Sequence, residues 1–173
     1  QENVPHGTYI IGIDPISNDD SNDKEVSLAS LVVYKRMISP LDKFKNQPVA
    51  TWAGRFRTLE EWHELALMVA EFYSAVGGVI IEDSEQSLRQ YFFHKRKSHY
   101  LANTTNILSK TNIQHKGNKK FGLPATTTIQ KHAMNLLIEY VNSEEVVVDD
   151  DGNEIMELGL SKIMDTMLIE ELI

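Results

Sequence analysis

The chain has 173 residues, 42% of them hydrophobic, and no cysteine; this suits one ordinary globular domain and excludes disulfides and thiolate metal sites. No apolar run approaches the roughly 20 residues that span a bilayer, and Gln1 to Pro5 lacks the features of a signal peptide, so a cytoplasmic protein is expected. Net charge is −8, against wholesale nucleic-acid binding, yet the stretch from Gln86 to Ile138 holds no acid and carries +9, leaving −17 elsewhere.

In chain order, Thr8 to Pro15 is β-branched and apolar up to Asp14 and predicts a buried strand that ends at Pro15. Ser17 to Asp23 reads as a polar loop, Val26 to Arg36 as a second strand and Val49 to Trp52 as a third, which together make an antiparallel meander. Thr58 and Glu61 form a capping box for the clearest helix, with Leu59, Trp62, Leu65, Ala66, Val69, Phe72, Tyr73 and Val76 at helical spacing up to Gly77-Gly78. The strand that comes directly after, Val79 to Ile81, is then parallel to an earlier strand, and the helix is its crossover.

Ser84 suits the N-cap of a further helix through Leu88, Tyr91 and Phe92, and a short strand is expected near Tyr100-Leu101. Asn103 to Ala125 reads as a long loop, Thr127 as the cap of an amphipathic helix, and Asp149 to Asn153 as the turn of a hairpin between Val146 to Val148 and Ile155 to Leu158. Met164 to Ile173 predicts a closing helix.

Asp14 and Glu82 each follow a buried strand. If the crossover lays those strands side by side and parallel, the two acids meet at one sheet edge, about 4.8 Å apart. Carboxylates that close repel unless a proton or cation intervenes, and Mg²⁺ or Mn²⁺ takes oxygen ligands of this kind. A strand-end acid is also a common cap or turn former, so the order of elements and not either residue alone points to chemistry. Asp19, Asp20 and Asp23 suit a solvated loop, Asp83 a helix start, and Asp149 to Asp151 a turn without the later ligands of a calcium loop.

Tyr9-Ile10-Ile11-Gly12-Ile13-Asp14-Pro15, Gly54-Arg55, Phe72-Tyr73, Ile80-Ile81-Glu82, Gly122-Leu123, Thr126 to Lys131 and Asp165 to Leu172 resemble, in that order, the C-terminal nuclease domain of the large terminase subunit of tailed phages. The resemblance implies a ribonuclease H-like α/β fold, with antiparallel strands 1 to 3, then parallel crossovers, in a mixed sheet flanked by helices. Residues 8–173 would be that domain and 1–7 a linker remnant. It implies a metal-dependent endonuclease that cuts concatemeric viral DNA with two Mg²⁺ or Mn²⁺ ions, Asp14 and Glu82 being the first two metal-binding, catalytic acids. The family's third acid would lie beyond Ile173, so a piece of a longer protein is expected; Asp165 is on the wrong side of its segment.

Double-stranded DNA, an ATPase domain, a portal and a small terminase subunit are the implied partners, in the host cytoplasm and transiently at the procapsid, with no membrane. The chain has no Gly-x-x-x-x-Gly-Lys-Ser/Thr loop of its own. Within the basic stretch Lys95, Arg96, Lys97, Lys116, Lys119 and Lys120 are the candidate phosphate contacts. The competing reading is a ribonuclease H-like module that binds DNA or docks a motor without cutting; an actin-like phosphotransferase lacks its glycine-rich loop after Asp14.

Overall fold

The structure, a computed structural model, describes residues 4–15, 28–39, 42, 44–82, 86–108, 121–149 and 151–170. It forms two compact units, Gln1–Ala125 and Thr126–Ile173. Among the described residues no helix is long and apolar enough to cross a membrane.

The first unit opens with three strands, β1 (Tyr9–Asp14), β2 (Ala29–Lys35) and β3 (Gln47–Gly54), paired antiparallel in sequence. Helix α1 (Leu59–Phe72) then returns the chain so that β4 (Val79–Ile81) runs parallel to β1, giving the order β3-β2-β1-β4. Helix α2 (Gln86–His94), a 3₁₀ turn (Ser98–Tyr100) and α3 (Thr104–Leu108) come next. Single parallel bridges from Val79 to Leu101 and from Glu82 to Leu123 extend the sheet beyond β4. The result is the expected α/β architecture, a mixed sheet with helices packed on it.

Period-2 alternation builds the core. Ile11, Ile13, Leu31, Val33, Val79 and Ile81 are buried on one face of the sheet, against Trp62, Ala66 and Ala70 of α1 and Leu88 and Phe92 of α2. The alanines let α1 approach the strands closely. Trp62 stacks on Trp52, with ring centroids 5.0 Å apart.

Several boundaries depart from those predicted, each for a local reason. The third strand begins at Gln47, before Pro48, because β3 is an edge strand and a missing N–H is tolerated there. Half of the capping box at Thr58 and Glu61 is present, the Thr58 hydroxyl accepting from Glu61 N–H; the Glu61 carboxylate accepts from Arg57 N–H, one residue before the cap. The helix, however, stops at Phe72 and not at the glycines. Ser74 takes a left-handed φ of 49°, and Ala75 N–H and Ser74 N–H donate back to the carbonyls of Ala70 and Glu71, a Schellman closure without glycine. Phe72, expected on the inner face, is 80% exposed.

The glycine pair serves the strand instead. A methyl group on Gly78 would stand 2.6 Å from the Tyr9 carbonyl oxygen. The segment at Tyr100-Leu101 is a 3₁₀ turn with one bridge, and not a strand. The loop expected from Asn103 contains α3, whose buried Thr104 hydroxyl donates to the Gly122 carbonyl oxygen at 2.6 Å. Ser84, Asp83 and the acids 19, 20 and 23 lie outside the described residues.

The second unit contains α4 (Thr127–Val141), the hairpin β5 (Glu144–Val148) and β6 (Glu154–Leu158), a 3₁₀ turn (Gly159–Lys162) and α5 (Thr166–Glu170). The cap of α4 is Thr126, one residue before the predicted one, accepting from Ile129 N–H. The Asp149 carboxylate accepts from the backbone N–H and side-chain amide of Asn153 and from the backbone N–H of Asp151 and closes the hairpin turn, bonds that hold its pKa below the ordinary carboxylate value. Helix α5 starts two residues later than expected because Asp165 acts as its cap, its carboxylate accepting from Leu168 N–H. Lys162 is buried, its ammonium 2.5 Å from Glu145 and 3.9 Å from Glu157, two acids paired in register across the hairpin.

Candidate carboxylate site

The parallel register Ile11 with Val79, Gly12 with Ile80 and Ile13 with Ile81 leaves Asp14 and Glu82 as the next neighbours on β1 and β4. Glu82 N–H donates to the Ile13 carbonyl at 3.0 Å, so the ladder holds up to that point. Residues in register share a face, and alternation sends this pair to the face opposite the core, together with Gly12 and Ile80. Asp14 is exposed and Glu82 half-buried. The expected juxtaposition of the two acids is therefore present in the backbone.

The neighbours complete the edge. Ser30 of β2 is opposite Asp14 in the antiparallel register, and Leu123 is bridged to Glu82, with its N–H on the Ile81 carbonyl. Because β3 ends at Gly54 beside Ala29, Arg55 comes next at this same edge. Ser30 carries no local motif; its place beside Asp14 emerges only with the β1–β2 register. Space over the pair is open: Gly12 is exposed, and a methyl group there would meet nothing within 4 Å.

In kind, two carboxylates on an open sheet edge fit a hard divalent ion, since Mg²⁺ is commonly held by one or two carboxylates plus substrate phosphate and water. Among the described residues no group of three or more His, Asp or Glu is gathered to hold a metal.

The basic run lies elsewhere. Helix α2 ends in a second Schellman closure, with Lys97 and Arg96 N–H groups on the Phe92 and Phe93 carbonyls and Arg96 at φ 59°. Lys95 sits over the Tyr91 ring, 5.1 Å from its centroid, and Lys97 pairs with Glu71 at 2.6 Å, a bond that raises the lysine's pKa. Glu71 lies in the last turn of α1, and Gly77 just before β4 donates its N–H to the His99 carbonyl. Lys95 to Lys97 thus stand at the sheet edge where β4 begins, whereas Asp14 and Glu82 stand where β1 and β4 end. Arg89 turns inward to donate to the Phe121 carbonyl at 3.1 Å. Lys116, Lys119 and Lys120 lie outside the described residues.

Comparisons of the chain with family models, with curated proteins and with solved structures found no match.

Proposed function

We propose that the first unit is a ribonuclease H-like, metal-dependent endonuclease that hydrolyses DNA phosphodiesters, of the kind found in phage terminase large subunits. The observation that carries this reading is the in-register pair Asp14 and Glu82 at the carboxyl ends of adjacent parallel strands, the edge where open α/β sheets bind ligands. Three antiparallel strands and then a helical crossover into a parallel one is also the arrangement that the sequence resemblance implies.

In the proposed mechanism Asp14 and Glu82 would hold the metal, and a divalent ion bound there would supply an activated water and stabilise the leaving oxygen. The chain's own contribution is geometric. The β1–β4 ladder fixes the spacing of the two carboxylates, Gly12 leaves room over the strands for a phosphate backbone, and Arg55 adds positive charge at the same edge.

Plasmid nicking in Mn²⁺ tests the proposal. Wild-type protein is expected to cut and Asp14→Asn and Glu82→Gln to lose at least about a hundredfold, within the range for removing a group that acts on the transition state. Equal activity in all three would refute the roles given to these acids. A second reading, a non-catalytic DNA-binding or docking module, is favoured by the lack of a third described acid near the pair; DNA retention without any cleavage by the wild type would select it.

A further inference from the structure

At the other ends of β1 and β4 the surface of the first unit opens into a cleft of about 650 Å³, within the usual range for small-molecule sites. Ile10 and Ile80 contribute to an aliphatic floor, while His6, Arg36, Asn103 and Asn106 supply polar groups around it. No Asp or Glu is among the described residues that line it, on a chain with 25 acids and 17 bases.

The cation of the cleft is Arg36, an exposed residue. Arg36 N–H donates to the Thr8 carbonyl at 2.8 Å, which fixes the residue beside β1. Its guanidinium makes one long bond, 3.4 Å to the Gly7 carbonyl, and no ion pair with a described carboxylate. Among the described residues the other four of its five N–H donors meet no acceptor. The Asn103 amide is oriented as well, its oxygen accepting from Thr105 N–H at 2.9 Å, which leaves the NH₂ group to donate. A guanidinium and an imidazole suit a phosphate, two carboxamides suit the edge of a base or sugar, and the isoleucines offer an apolar surface to a flat ring.

The geometry points to a nucleotide-phosphate site in this cleft, with Arg36 and His6 on the phosphate and Ile10, Ile80 and Asn106 on the nucleoside. The ligand is a free nucleotide or one unit of a nucleic-acid strand; the two share this chemistry. Ile10 and Asp14 are four residues apart on one strand and on one face, roughly 13 Å, or about four nucleotide steps of duplex rise. A strand lying over Gly12 could therefore touch both places. The cleft does not depend on the nuclease reading, since it uses neither carboxylate.

Isoleucine-methyl NMR in EDTA, with no divalent metal, tests it using deoxyadenosine monophosphate and a four-residue deoxyadenosine oligonucleotide as probes. At least one probe is expected to shift the Ile10 and Ile80 methyl signals. Arg36→Gln should weaken that binding roughly tenfold, as for loss of a charge-assisted pair, and Asn106→Ala severalfold. Tighter binding of the monophosphate assigns a free-nucleotide site; tighter binding of the oligonucleotide assigns a strand subsite. Silent methyls with both probes would overturn the proposal, as would unchanged affinity in Arg36→Gln. If Arg36→Gln does not keep the native methyl spectrum, Asn106→Ala carries the same comparison. Nicking measured in parallel separates the two proposals: shifted methyls without nicking count against the nuclease alone, and nicking with silent methyls against the cleft alone.

Discussion

Neutralising one acid of the pair should stabilise the metal-free protein and abolish its response to metal. With strands about 4.8 Å apart, two carboxylate charges at about 6 Å repel by about 0.7 kcal/mol in water-like surroundings and about 3 at an effective dielectric of 20. Asp14 is exposed, so the lower figure governs. Among the described residues its carboxylate accepts no hydrogen bond, so Asp14→Asn removes charge and little else. In EDTA and low salt the melting temperature should rise by about 2 °C. In Mn²⁺ at a hundred times its dissociation constant the wild type should gain about 2.7 kcal/mol, and the variant much less. Tryptophan fluorescence reads the right unit, because Trp52 and Trp62 both belong to its stacked aromatic cluster. Equal gains in wild type, Asp14→Asn and Glu82→Gln would refute a shared metal site, and a lower melting temperature for Asp14→Asn in EDTA would refute the repulsion.

Gly78→Ala should cost about 1–3 kcal/mol in urea unfolding, because the new methyl would press on the Tyr9 carbonyl and part β1 from β4; unchanged stability would mean that the junction yields to a methyl group. His63, buried with its ring 3.4 Å from the Ser87 hydroxyl, has its pKa lowered from 6.5 by burial, against a smaller opposing effect of Glu60. The unfolded chain takes up that proton first, so its stabilising contribution is present above about pH 6.5 and lost on acidification below it; His63→Gln should show a flatter fall in stability from pH 7 to 5.5 than the wild type. Lys162→Met should destabilise the second unit by about 1–3 kcal/mol by leaving Glu145 and Glu157 facing each other, and adding Glu145→Gln and Glu157→Gln should restore most of the loss in thermal unfolding.

What the sequence discloses and what it conceals divide along physical lines. The strands bearing Ile11, Ile13, Val79 and Ile81, the Thr58 cap and the turn at Asp149 are legible because each depends on residues within a few positions. Neither Schellman closure is legible, because Ser74 and Arg96, rather than glycine, occupy the left-handed position, a conformation imposed by the packing of the segments after each helix. The basic run at Lys95 to Lys97 is conspicuous as charge, yet its helix-end position and its pairing with Glu71 depend on how α1 and α2 pack. The cleft around Arg36 has no motif at all, since its polar groups come from separate stretches of chain.

The position of the acids is a consequence of the core itself. Because the side-chain period of a strand is two, slipping β4 by one residue against β1 would turn Val79 and Ile81 outward and carry Glu82 toward Trp62 and Leu88. That slip would expose two branched side chains that are now 1% and 3% accessible and would bury a carboxylate among apolar groups. Both penalties favour the observed register, in which burying Ile11, Ile13, Val79 and Ile81 on one face obliges Asp14 and Glu82 to share the other. The same hydrophobic alternation that folds the sheet thus fixes the spacing of the two carboxylates. A core substitution such as Ile81→Ala should therefore loosen the pair as well as the fold, and weaken Mn²⁺ binding measured by calorimetry although it touches neither acid; unchanged affinity would separate site from core.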